Sequence, residues 1–168
     1  LLKIYEPDNG EIFVDEKIIS DISKEELRNS ISFLPQDLLI LNTNIFENID
    51  LYGKNISHQK LIEEIDNMKL GLNKLEVESA ENIGYGGTNL SGGQKQKINI
   101  LRTILKDSNF IIFDEPTNNL DQESVNIFIN QLEKIRGEKT ILIITHEKKL
   151  EDISDNVFEL KESKLFKK

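Results

Sequence analysis

The chain has 168 residues, which suits one domain or a domain with a small subdomain. Hydrophobic residues make up 38% and charged residues 30%, enough apolar matter for a real core, which argues against wholesale disorder. With 21 basic and 30 acidic side chains the formal net charge is −9, which argues against a general nucleic-acid backbone binder but leaves room for a local anion site of backbone N–H groups. There is no cysteine, so disulfides, thiolate metal sites and cysteine nucleophiles are excluded.

In chain order, Leu1-Leu2-Lys3-Ile4 read as the end of a helix already under way, which predicts a start inside a domain. Residues 11–14 and 17–19 flank Asp15-Glu16 and predict a short hairpin. Residues 23–28 have helix-forming character, and Ile31-Ser32-Phe33-Leu34 predict a strand that Pro35 helps to end. Residues 42–75 read as mostly helical, with Leu61, Ile62, Ile65 and Met68 on one face and Gly71 as punctuation. A polar, glycine-rich loop follows at 81–89. The next predicted helix spans 91–106, with Ile98, Leu101, Ile104 and Leu105 as its buried stripe. Phe110-Ile111-Ile112-Phe113 is a continuous apolar run, the pattern of a strand buried on both faces of a parallel sheet. Residues 124–134 predict an amphipathic helix with Val125, Phe128, Ile129 and Leu132 inward, Ile141-Leu142-Ile143-Ile144 a second buried strand, and 156–166 a terminal hairpin. Strand, helix, strand from 110 to 144 is a βαβ unit, so the core is α/β. No apolar run is long enough to span a bilayer and no signal peptide is visible, so membrane attachment has to come from a partner or from a segment outside these residues.

Four places carry chemistry. In Leu90-Ser91-Gly92-Gly93-Gln94, Ser91 can cap the following helix and Gln94 stands where a capping box needs it. The two glycines permit close approach of a ligand, and the helix N-terminus favours an anion such as phosphate. Alone, the same residues are equally an ordinary capped helix. Asp114-Glu115 end a buried strand, at the sheet edge where α/β proteins bind ligands. Asp114 is a candidate Mg²⁺ ligand, and Glu115 a candidate to orient or deprotonate a water. His146 follows the second buried strand and reaches the same edge if the two strands are parallel, where an imidazole can bond a phosphate. Gln36, just beyond the strand at 31–34, carries little by itself. His58 lies in a polar stretch with no motif and receives no role.

In this order the pieces resemble the ATP-binding domain of the ABC superfamily, over nearly the whole chain. Leu90 to Gln94 is similar to the LSGGQ signature, and Phe110 to Glu115 to Walker B with its catalytic glutamate. Asn118-Asn119-Leu120-Asp121 resembles the D-loop, His146 the switch histidine, and Gln36 within Leu34-Pro35-Gln36-Asp37 the Q-loop. Gly84-Tyr85-Gly86-Gly87 resembles the exporter X-loop, and residues 27–33 and 37–49 resemble exporters on either side of the Q-loop. A second view of 37–49 is that Leu39, Ile40, Leu41, Ile45 and Phe46 simply fill the helical subdomain.

The resemblance implies a partial P-loop NTPase (RecA-like) α/β core with a parallel sheet, short antiparallel hairpins and the ABC helical subdomain. It places that subdomain at about 42–106 and the second part of the ATPase core at 107–168. It implies ATP and Mg²⁺ as ligands, a head-to-tail dimer with a second ABC ATP-binding domain, and a transmembrane domain on the same or a separate chain, at the cytoplasmic face of a membrane. Ser91, Gly92, Gly93 and Gln94 would face the γ-phosphate of ATP held mainly by the partner. Asp114 would bind Mg²⁺ through water, Gln36 would sense Mg²⁺ and water, Glu115 would polarise the hydrolytic water, His146 would contact the γ-phosphate, and Asp121 would couple the two sites.

The sequence also departs from the family. The Walker A loop, G-x-x-G-x-G-K-[ST], has no counterpart in these residues, so the stretch is expected to be inactive alone. Asn118-Asn119 stand where Ser-Ala is common, and Tyr85 where exporters usually have Glu. A core missing upstream strands would expose an edge, which predicts self-association. Two other readings stand beside the exporter: a soluble ABC ATPase acting on ribosomes or DNA, which the acidic charge disfavours, and a non-enzymatic fragment that only binds a partner.

Overall fold

A computed structural model describes residues 1–53, 56–69 and 83–168. Among the described residues the fold is mixed α/β, with one parallel three-stranded sheet and two antiparallel hairpins. The first hairpin pairs β1 (Phe13–Val14) with β2 (Lys17–Ile18), and Asp15 turns the chain at φ 52°. Ser23 caps α1 (Lys24–Ser30) by accepting the Glu26 N–H, and α1 runs directly into β3 (Ile31–Leu34). Two short helices follow, α2 (Ile45–Ile49) and α3 (His58–Asn67), each begun by a side-chain cap from Asn44 and Ser57. The predicted helical stretch is therefore broken at Asp50, and α3 begins anew from its own cap at Ser57. Gly71 and the parts of predicted elements at 70–75 and 81–82 lie outside the described residues.

The long helix α4 (Gly92–Leu105) leads to β4 (Phe110–Asp114), then α5 (Gln122–Ile135) to β5 (Thr140–Ile144). The sheet order is β3-β4-β5, all parallel, which confirms the βαβ unit. A one-turn helix α6 (Lys148–Asp152) precedes the exposed terminal hairpin of β6 (Phe158–Lys161) and β7 (Lys164–Lys167). Among the described residues, no helix is long and apolar enough to cross a membrane.

The two faces of the sheet follow from strand alternation. Leu34, Ile111 and Phe113 join one large cluster with Ile98, Leu101, Phe128 and Leu132, and the same cluster holds Leu61, Ile65 and Met68 of the α3 region. Phe113 meets Phe128 edge to face, with ring centroids 5.2 Å apart. Ile31 and Ile112 point the other way, into a smaller cluster with Ile19, Ile22 and Leu27.

Three expectations need correction. Leu1 to Ile4 is not helical; Lys3 sits at φ 52° and donates to the Ser20 and Ile22 carbonyls. Four residues cannot meet the cost of helix nucleation without preceding turns. β5 is not buried on both faces: Ile141 and Ile143 pack inward, but Leu142 is 41% and Ile144 50% exposed. It is the edge of the sheet, and the small cluster that covers β3 and β4 does not reach it. Finally, α4 buries more than its apolar stripe. Ile98 and Leu101 are buried and Ile104 and Leu105 only partly so, while Gln96, Asn99, Arg102 and Thr103 are buried as well.

Candidate functional site

The parallel register brings the chemistry-bearing residues to one edge. Leu34 pairs with Phe113, and Asp114 with Ile144, so β3, β4 and β5 end level with one another. Gln36, Asp114-Glu115 and Thr145-His146 all follow those ends. This is the carboxyl edge at which open parallel sheets bind ligands.

Glu115 is the centre of the edge. Its backbone N–H donates to the Ile144 carbonyl at 2.8 Å, tying the residue to β5. Its φ is 48°, an uncommon conformation for a non-glycine residue and more so before a proline. Such strain costs about 1–3 kcal/mol and persists only where the surroundings hold it. His146 reaches across from β5: Nδ1 lies 3.1 Å from Oε1 in a hydrogen bond and 3.0 Å from Oε2. Oε2 is buried and has no hydrogen bond of its own among the described residues. The imidazole is 80% exposed while the carboxylate is 21% exposed. The acid is therefore held, and the histidine faces outward beside it. A carboxylate so placed can accept a proton from a water or hydroxyl positioned against it.

The signature-like segment is a capped helix start, and the capping box is complete. Ser91 Oγ accepts the Gln94 N–H at 3.2 Å, and Gln94 Oε1 accepts the Ser91 N–H at 2.8 Å. Ser91 and Gly92 stay exposed. Packing is tight at Gly93 and ordinary at Gly92. A Cβ on Gly93 would lie 3.0 Å from the Asn119 carbonyl oxygen, and one on Gly92 3.4 Å from Asn119 Cβ. The start of α4 thus sits directly against the turn that follows Glu115.

That turn is built from Asn118 N–H to Glu115 O at 3.2 Å and Leu120 N–H to Thr117 O at 3.1 Å, with Asn119 at φ 64°. It delivers Asp121 to the N-cap of α5, where its carboxylate accepts the Ser124 N–H at 2.8 Å. The Ser124 backbone bond and then its hydroxyl hold the Asp121 carboxyl below the usual carboxylate range; desolvation opposes them, and the charge of Lys97 adds to them least.

Sequence reasoning missed the buried polar groups on α4, Gln96 and Arg102 foremost. Gln96, 2% exposed, donates from Nε2 to the Pro116 carbonyl at 2.7 Å. Arg102, 5% exposed, donates to Asn48 O, Leu39 O, Asn99 Oδ1 and Asn48 Oδ1 at 2.7–3.2 Å. Burial lowers the Arg102 pKa, and no carboxylate is among these partners. Asn48 in turn bonds the backbone of Leu41 and Asn44, so residues 39–48 are fastened to α4. A polar residue inside an apolar stripe was the available signal, but its partners lie 20 and about 54–63 positions away.

Among the described residues, no group of three or more His, Cys, Asp or Glu side chains forms a metal cage. Mg²⁺ does not require one, since it keeps several waters and takes one or two carboxylates besides phosphate oxygens. Asp114, a carboxylate at the end of β4 where the parallel strands finish, fits such a sparse, hard-oxygen donor set.

Comparison with known proteins places this geometry. The family model described as "ABC transporter" matches residues 1–118. The chain is 38% identical over 148 residues to the ABC transporter ATM1 of Plasmodium falciparum, covering 87% of this chain and 14% of that protein. It is 34% identical to the alpha-hemolysin translocation ATP-binding protein HlyB of Escherichia coli O157:H7, covering 87% of this chain and 21% of that one. It is also 34% identical to the lactococcin-G-processing and transport ATP-binding protein LagD of Lactococcus lactis subsp. lactis, with coverages of 95% and 23%. The chain therefore spans less than a quarter of the length of these relatives. A bacterial Atm1-family ABC exporter solved with ATP bound superposes with a TM-score of 0.85 at 26% identity, over 97% of this chain and 29% of that one. With the ordered motifs, the parallel sheet and these relatives in agreement, the chain belongs to the ABC transporter family and forms part of an exporter-type nucleotide-binding domain.

Proposed function

We propose that this chain is the signature-bearing and catalytic-acid part of an ATP-hydrolysing domain that drives export across a membrane. The observation that carries the proposal is the Glu115 carboxylate, held by a strained, β5-tied backbone with His146 Nδ1 set 3.0–3.1 Å from its two oxygens. In this reading Glu115 accepts the proton of the attacking water, and His146 steadies the carboxylate while its exposed ring reaches a terminal phosphate. Asp114 and Gln36 hold Mg²⁺, partly through water. When bound, the ion offsets charge on the phosphate oxygens. The lysine-bearing Walker A loop is not among these residues, so turnover requires it from elsewhere and this stretch alone is inactive.

ATP acts between two such domains set head to tail. Ser91, Gly92, Gly93 and Gln94 close on the phosphate held by the other domain, at the positive N-terminal end of α4. The contact of Gly92 and Gly93 with Asn119 supports a link between this closure and the Asp121 loop. Residues 42–106 form the helical subdomain and 107–168 the second part of the core. A transmembrane domain, on the same or another chain, docks at the cytoplasmic face. A groove of about 390 Å³ supports that partner: it is lined partly by Phe33, Leu39 and Tyr52, and the last two are 52% and 47% exposed. Ile40 and Ile45, by contrast, are core residues, so part of the 37–49 segment fills the helical subdomain.

The test is Glu115→Gln in a version of the chain that carries a Walker A segment upstream of Leu1. ATP binding should persist while turnover falls by about 10²- to 10⁴-fold. Near-normal hydrolysis would sink the assignment.

A further inference from the structure

Glu115 owes its position to the Glu115–Pro116 turn, and one side chain from another element grips that turn. Gln96 lies one helical turn inside α4, 2% exposed, and its Nε2 donates to the Pro116 carbonyl at 2.7 Å. Pro116 is itself buried and has no N–H to contribute. The peptide that follows the acid is thus fixed by three independent ties: Glu115 N–H to β5, Asn118 N–H back to Glu115 O, and Gln96 to Pro116 O. Only the last comes from the helix whose first turn holds Ser91, Gly92 and Gly93. The same helix start touches the turn again at Asn119, through the close approach of Gly93. A buried amide donating to a buried carbonyl is fully committed, and removing the donor strands the acceptor.

We propose that Gln96 is a positioning residue for hydrolysis: it holds the Glu115–Pro116 turn in register with the signature helix, so that phosphate contact at Ser91–Gly93 and the carboxylate at Glu115 move as one body. This rests on the assignment of Glu115 given above. Gln96 acts through the turn it holds. Its loss leaves ATP binding intact and lets the carboxylate wander, and a displacement of 1 Å at a reacting group is enough to slow chemistry sharply.

Gln96→Met keeps the shape and removes the donor. Single-turnover hydrolysis is measured in the Walker A-bearing chain, in the wild-type and the Glu115→Gln backgrounds, with ATP affinity measured alongside. The expected result is a fall of about tenfold in the wild-type background, ATP affinity within about twofold, and no further fall in Glu115→Gln. Equal losses in both backgrounds would show a merely structural role, and no loss in the wild-type background would show no role; either overturns the proposal. Normal turnover in Glu115→Gln alone would instead remove the underlying assignment, and this inference with it. Gln96→Asn, which keeps the amide but shortens its reach, gives the same comparison with a smaller loss if Gln96→Met does not fold.

Discussion

β4 and β5 read almost identically as sequence, Phe-Ile-Ile-Phe against Ile-Leu-Ile-Ile, yet they hold opposite places in the molecule. Ile111 and Phe113 are 0% exposed and Ile112 6%, because β4 is the middle strand with clusters on both faces. Leu142 and Ile144 stand open, because β5 is the edge and only its Ile141–Ile143 face is packed. An apolar run states that a strand is able to be buried; topology decides whether it is. The difference also divides the site. Glu115 leaves the rigid middle strand with a carboxylate that is 21% exposed, whereas His146 leaves the edge strand with a ring that is 80% exposed. The group that needs a fixed position is on the packed strand, and the group that needs reach is on the open one.

The comparison breaks most easily at its packed end. Phe113→Ala removes a fully buried ring from its contact with Phe128 and should destabilise the fold by about 3–5 kcal/mol. Leu142→Ala, on the exposed face, should cost about 1 kcal/mol or less. Urea titration of the two variants checks both, and similar losses would mean that β5 is as covered as β4. A subtler effect sharpens the contrast. The 168-residue stretch by itself should self-associate through the open face of β5, and Leu142→Lys should reduce this in light scattering. A monodisperse wild-type monomer at the same concentration would count against it.

Much of the fold was legible because it is local. The capping box of Ser91 and Gln94, the β4–α5–β5 unit and both hairpins follow from spacing within about 35 residues or fewer. Asp114, Glu115 and His146 were placed at one edge by the parallel-strand rule, and the level ends of β4 and β5 bear this out. What escaped was non-local. The exposure of Leu142 depends on which strand lies outermost. The burial of Gln96, Asn99 and Arg102 depends on carbonyl and amide partners from Pro116, Leu39 and Asn48. Periodicity assigns polar residues to the surface by default, and only distant hydrogen-bond partners overturn that. The supposed helix at Leu1 to Ile4 failed for the converse reason: four residues of suitable type carry no periodicity at all.

The central claim is that the signature residues of one chain close on the nucleotide held by a second domain set head to tail. Gel filtration of the Walker A-bearing chain with ATP tests it most directly, using Glu115→Gln to prevent turnover. The account predicts an ATP-dependent dimer for Glu115→Gln. It predicts a monomer that still binds ATP when Ser91→Arg is added, because the larger charged side chain blocks the start of α4. ATP-dependent dimers that survive Ser91→Arg would contradict it.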